Sequence, residues 1–266
     1  MTLPVWAAFS LATNVILSLT VSLLLFRNYD WRGAVEAEAA PTSAEVSATP
    51  VKAVTGERKK LSYEEWVEVL GQEAKAVAAT SPERLTILAG DSISLWFPPE
   101  LLPPGTTWLN QGISGEVSDG LYKRLKLWDD LKPDAVFVMI GINDLLRGID
   151  DGTILDNHWR IVRDLREHHP EATVVVQSIL PHGGEEATWE GRDRLLDIPN
   201  DRIRELNREL QDLAEAEGAK YLDLFSLFAD DQGNLRSELS TDGLHLNEQG
   251  YWVWRSALQV YDRLEL

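Results

Sequence analysis

The stretch ILAGDSISLWFP, residues 87–98, begins as an apolar strand and breaks at Gly90-Asp91-Ser92. A serine at such a break either caps the helix that follows or displays its hydroxyl for attack. A hydroxyl attacks only when a base takes its proton, and that base needs a third group to hold its tautomer. The chain has 5 histidines to supply the base. His158, His168 and His169 fall in or at the end of an amphipathic stretch, where solvent exposure or helix C-terminal capping explains them. His182 lies in a long loop, a place where substrates are touched. His245 differs, because STDGLHLNEQGY sets Asp242 three positions before it in a glycine-containing turn. A carboxylate at that spacing can accept from Nδ1 and leave Nε2 for a hydroxyl. The same turn also reads as a helix start with a capping Asp.

These residues need elements to bring them together. Apolar, strand-like runs occupy 85–89, 106–110, 134–140, 172–178 and 219–224. Between and after them lie four helical stripes: Leu121, Leu125 and Trp128; Leu155, Trp159 and Val162; Ile203, Leu206, Leu210 and Leu213; and Val253, Trp254, Ala257, Leu258 and Tyr261. AVFVMI and TVVVQSI are continuously apolar, as parallel strands covered on both faces require. Alternating strands and helices imply an α/β sandwich with right-handed crossovers. In such sheets reactive groups gather beyond the C-terminal strand ends. The candidates fall there: Ser92 after the first run, Gly112 to Gly115 after the second, Asn143 after the third and Asp242 to His245 after the last. Taken singly, the glycines read as turn formers and Asn143 as a residue closing a strand. The stretch 181–198 is too long for an ordinary connection, which points to function.

Over residues 83–262 the chain resembles the SGNH hydrolases, also called GDSL esterases and lipases. Gly90-Asp91-Ser92-Ile93-Ser94 is similar to the first family block, with Ile in place of the namesake Leu. Asn110-Gln111-Gly112-Ile113-Ser114-Gly115-Glu116 is similar to the second, Gly141-Ile142-Asn143-Asp144 to the third and Asp242-Gly243-Leu244-His245 to the fifth. The resemblance implies a three-layer α/β/α sandwich with a five-stranded parallel, flavodoxin-like sheet. It implies Ser92 as nucleophile, His245 as base and Asp242 as its orienting carboxylate. Backbone N–H groups of Ser92 and Gly115, with Gly112 the alternative, and the Asn143 amide would hold the oxyanion. No metal or organic cofactor is implied, and Asp91 falls to a structural role in the turn.

The resulting expectation is a serine esterase acting on a lipid, an O-acetylated carbohydrate or another small acyl ester through an acyl-enzyme. An acyltransferase on the same machinery is the alternative, and a catalytically silent, membrane-anchored binding domain the third. Trp96 and Phe97, with Leu95, read either as an apolar edge on the sheet or as a substrate rim. Arg147 stands at the pocket mouth or in a solvent salt bridge.

Composition bounds the rest. The 266 residues carry a formal net charge of −18, which argues against nucleic-acid partners. Cysteine is absent, so disulfides, thiolate catalysis and Cys-based metal sites are excluded. Residues 5–26 hold no charge, long enough for a single-pass membrane helix with Trp6, Tyr29 and Trp31 at its ends. A cleaved signal peptide and a soluble helix are the competing readings. This divides the chain into an anchor, 1–32, a flexible Ala/Glu/Pro-rich linker, 33–59, and a hydrolase domain, 60–266. The domain opens on Ser62-Tyr63-Glu64-Glu65, which has capping-box spacing, followed by Trp66, Leu70, Ala74 and Val77 at helical spacing. Arg27 and Arg32 favour a cytoplasmic domain by the positive-inside rule. The acidic, Pro/Ala-rich linker suits an exported one, and that is the expectation carried forward.

Overall fold

Five parallel strands form one sheet: β1 (Leu85–Gly90), β2 (Thr107–Gly112), β3 (Ala135–Met139), β4 (Thr173–Gln177) and β5 (Lys220–Leu222), in the order β2-β1-β3-β4-β5. The structure is a computed structural model that describes residues 61–265. The expected membrane span at 5–26 and the linker at 33–59 lie outside the described residues. Among the described residues no helix is long and apolar enough to cross a membrane.

Strand alternation splits the core in two, because successive side chains point to opposite faces. Ile87, Ala89, Val136, Val138, Val174 and Val176 face one layer. There they meet the helices α3 (Ser118–Arg124), α5 (Asp151–His168) and α7 (Asn200–Ala216). Leu88, Phe137, Met139 and Val175 face the other. That side is closed by the last helix, α9 (Glu248–Glu265), through Trp254, Leu258 and Tyr261. Every residue of β1 and β3 is buried, which is why those strands read as unbroken apolar runs.

Ahead of the sheet, α1 (Tyr63–Thr80) starts with the expected capping box: Glu65 N–H donates to Ser62 Oγ, and Ser62 N–H to the Glu65 carboxylate at 2.7 Å. Leu61 and Trp66, at the positions of a hydrophobic staple, join Leu70 and Ile113 in a small satellite core. Two expectations are corrected. Trp159 does not face the core: it is 38% exposed, with its indole N–H on Glu217, and the buried stripe of α5 is Ile154, Ile161, Val162 and Leu165. The stretch 181–198 is not a bare loop, since a 3-10 turn (Gly184–Glu186) and α6 (Arg192–Leu196) interrupt it.

Candidate active site

The break after β1 is built by close packing. Gly112, at the end of β2, lies so near the next short helix, α2 (Ser92–Leu95), that an added Cβ would sit 2.4 Å from Leu95 N and 2.8 Å from Asp91 O. Asp91, not Ser92, is the cap: its Oδ1 accepts the Ile93 N–H at 3.0 Å. The Ser92 hydroxyl is thereby released from capping. It lies 3.2 Å from His245 Nε2, with both residues less than a tenth exposed.

His245 is held from behind. Its Nδ1 lies 2.8 Å from Asp242 Oδ2, while Asp242 Oδ1 accepts the N–H groups of Leu244 and His245 at 2.9 and 2.8 Å. Burial alone would raise the Asp242 pKa, but these N–H donors and the imidazole outweigh it and hold the carboxyl below its ordinary value. An ionised Asp242 accepts the Nδ1 proton, so Nε2 is left as an acceptor facing Ser92. The turn itself is clamped by Ser240, whose Oγ accepts from Gly243 N–H at 2.7 Å and donates to His245 O at 2.8 Å. On the far side Trp96 packs against the imidazole, ring centroids 4.3 Å apart.

Gly115 and Asn143 follow the neighbouring strands. Gly115 has φ +75°, a conformation that favours glycine, and its carbonyl accepts from Arg147 Nη2 at 2.6 Å. Arg147 thus fixes the Gly115 peptide from the rim, an alternative that the sequence did not suggest. Gly112, the other candidate, has its N–H committed to Asn110 Oδ1 at 3.0 Å. Asn143 opens α4 (Ile142–Leu146) and donates its amide to Asp91 Oδ2 at 3.3 Å. Asp91 therefore touches both the Ser92 helix and Asn143, and burial pushes its carboxyl up to about 7. Behind Asn143, Asp144 accepts the Ser118 hydroxyl and N–H, and Asn157 donates to Ser118 Oγ at 2.9 Å.

Two expected substrate contacts belong elsewhere. Phe97 is 1% exposed and packs on Tyr251 and Trp254 at 5.1 and 5.0 Å, so it is core. His182 is buried, with Nε2 2.6 Å from Ile198 O and Nδ1 accepting from Gly184 N–H at 3.1 Å. Both its ring nitrogens are spent on the loop's own backbone, and burial lowers its pKa. His158 is buried within α5, and His169, buried as well, is the C-cap residue of that helix, the second of the two readings open for it. Trp96 keeps a place beside the site. With Leu95 it walls a pocket of about 360 Å³ that Leu61, Tyr63, Trp66, Ile113 and Ser114 complete.

A parallel α/β sheet carrying a hydroxyl, an imidazole and a carboxylate in line beyond its strand ends defines an enzyme of the acyl-hydrolase class. The chain belongs to the GDSL-like lipase/acylhydrolase family, whose profile matches residues 88–253, and it is a carboxylic ester hydrolase. None of the curated proteins compared with it matches. Among solved structures it is similar to a Streptococcus pneumonia protein provisionally described as a platelet activating factor, with 27% identity and a TM-score of 0.65 over 74% of this chain and 95% of the other. It shares its fold with a GDSL-like lipase from Bacteroides thetaiotaomicron, at 18% identity and a TM-score of 0.66 over 77% and 100% of the two chains. An acetyl xylan esterase is also similar in fold, at 18% identity and a TM-score of 0.53 over 66% and 98%.

Proposed function

We propose that the chain is a serine esterase that works through an acyl-enzyme on Ser92. Ser92 Oγ bonds to the ester carbonyl carbon as His245 Nε2 takes its proton, and the carbonyl electron pair moves onto oxygen. That oxyanion sits among the N–H groups of Ser92 and Gly115 and the Asn143 amide. Collapse breaks the bond to the alcohol, whose oxygen leaves with the proton from His245. Water then repeats the sequence on the acyl-enzyme and restores Ser92. The observation that carries this reading is the line from Asp242 Oδ2 through His245 to Ser92 Oγ, at 2.8 and 3.2 Å. Lipids, O-acetylated carbohydrates and other small acyl esters all present the required carbonyl. In the same proposal residues 5–26 anchor the enzyme in a membrane, 33–59 tether it and the catalytic domain is exported; protease accessibility on intact cells tests the side.

The chemical test is direct. A fluorophosphonate should label the wild-type chain at Ser92, and the chain should hydrolyse p-nitrophenyl acetate. Ser92→Ala should abolish both; labelling and turnover equal to wild type would remove Ser92 from the mechanism.

A further inference from the structure

The turn that carries Gly115 is anchored firmly at its ends and lightly at its tip. Ile113 N–H donates to Gly90 O at 3.0 Å, which ties the start of the turn to the end of β1. At the other end the buried Glu116 carboxylate takes Arg124 Nε at 2.8 Å and Nη2 at 2.5 Å. Glu116 N–H returns to Ile113 O at 3.2 Å, and Gly115, third in that turn, has φ +75° while Ser114 keeps a negative φ. That is the pattern of a type II turn. The peptide at its centre, Ser114–Gly115, takes no part in closing the turn, and among the described residues nothing accepts from its N–H.

Ser114 is exposed, and among the described residues Arg147 is the one side chain that bonds to this tip, Nη2 to Gly115 O at 2.6 Å. Arg147 comes from the segment that carries Asn143. The two are four positions apart, the spacing that puts side chains on one helix face, and Arg147 N–H donates to Asn143 O at 3.1 Å. Asn143 is in turn tied to Asp91, beside Ser92, at 3.3 Å. One short segment thus reaches both the Ser92 turn and the Gly115 turn. Glycine has wide backbone freedom, so a tip without the Arg147 bond would sample other orientations of its N–H.

We infer that Arg147 is a positioning residue: it holds the Gly115 N–H in register with the Asn143 amide, so that the two donors converge on one oxygen. Its guanidinium acts through Gly115 rather than on the substrate. The inference rests on the proposed oxyanion roles of Gly115 and Asn143. A misplaced donor loses its hold on charge that develops in the transition state, so the loss belongs in kcat.

Arg147→Met, which keeps the aliphatic stem and removes the donors, tests it. On p-nitrophenyl acetate kcat should fall by about tenfold, with KM within about twofold of wild type. The loss should be the same on an anionic ester, mono-p-nitrophenyl adipate. Arg147→Lys, which keeps a charged donor, should recover part of it and serves if the methionine variant does not fold. In an Asn143→Ala background Arg147→Met should cost less than it does in wild type, because one of the two donors to be aligned is gone. An unchanged kcat, a loss carried by KM, a loss confined to the anionic ester, or full additivity with Asn143→Ala would overturn the role. If Ser92→Ala or Asn143→Ala matched wild type, the proposed mechanism would fail and the positioning role with it. An activity that needs Ser92 and Asn143 but is indifferent to Arg147 removes the positioning role alone.

Discussion

Ser92 and His245 meet at one point but are delivered by different constructions. Ser92 stands at the end of a central strand whose six residues are all buried, on a turn so tightly packed that Gly112 leaves no room for a side chain. Asn143 is delivered the same way, by β3. His245 does not directly follow a strand in the chain. After β5 the chain passes through the short helix α8 (Phe225–Phe228) and a 3-10 turn before a single bridge, Ser240 to Leu246, pins the Asp242–His245 turn. The strand side is positioned by the core, which resists displacement because interiors are close-packed. The turn side is packed too, with Leu244 and Leu246 buried and Gly243 against Ala187, but the Asp242–His245 pair itself is oriented by hydrogen bonds to a few polar atoms. Chemistry is therefore most easily broken at the turn without unfolding the sheet.

The largest expected effect follows from that asymmetry. Asp242 Oδ1 accepts two backbone N–H groups while Oδ2 accepts from His245 Nδ1. In Asp242→Asn the amide oxygen stays with the two N–H groups, and the NH₂ then faces Nδ1. The imidazole is driven to the other tautomer, with its proton on Nε2, and cannot accept from Ser92. A loss of about 10⁴-fold in kcat is expected, with the fold intact by circular dichroism. A loss under tenfold would show that the turn does not set the tautomer.

On the strand side, under the proposed mechanism, a single change removes one oxyanion donor and leaves Ser92 paired with His245. Asn143→Ala should lower kcat by about 10²–10³-fold with little change in KM, because the amide acts on charge that develops in the transition state. A change confined to KM would instead make Asn143 a ground-state contact. Steady-state kinetics on p-nitrophenyl acetate measures both.

The same contrast explains what could be read from residues alone. Five strands, their approximate limits and the polar breaks after β1, β2 and β3 were legible, because parallel strands advertise themselves as apolar runs ending in polar turns. Local patterning could not decide between Ser92 as cap and Ser92 as nucleophile; Asp91 taking the cap is a fact of three-dimensional geometry. For His182 and Phe97 the choice between pocket and core stayed open for a related reason. Loop position and apolar character are shared by pocket and core, and only packing separates them: two backbone partners for His182, two aromatic rings for Phe97. Arg147 read as a residue of the pocket mouth or of a solvent salt bridge, but its bond to the Gly115 carbonyl joins two distant segments and leaves no local signature. The pocket wall from Leu61 and Trp66 was visible only as a helix start.

The smallest expected effect concerns Asp91, the residue that ties the Ser92 turn to Asn143. Burial raises its carboxyl from an ordinary 3.8 to about 7, against the opposing pull of the Ile93 N–H and the Asn143 amide. Between those two values the folded chain holds a proton that the unfolded chain has released. Stability therefore falls as pH rises through that window: the contribution is complete below 3.8 and gone above about 7. Asp91→Asn cannot ionise and removes this dependence while keeping a side-chain oxygen for the Ile93 N–H. Urea denaturation at pH 5 and pH 8 should show wild type losing on the order of 2 kcal/mol more than the variant between the two conditions. Carboxyls far from Asp91 cancel in that comparison because both proteins carry them, whereas Glu116 and Asp144, which act on Asp91 electrostatically, belong to the response being measured. An equal pH response in the two proteins would mean that Asp91 is ionised throughout. The strand side would then hold a charge beside Ser92, and the Ser92 turn, like the Asp242–His245 pair, would be oriented by polar contacts.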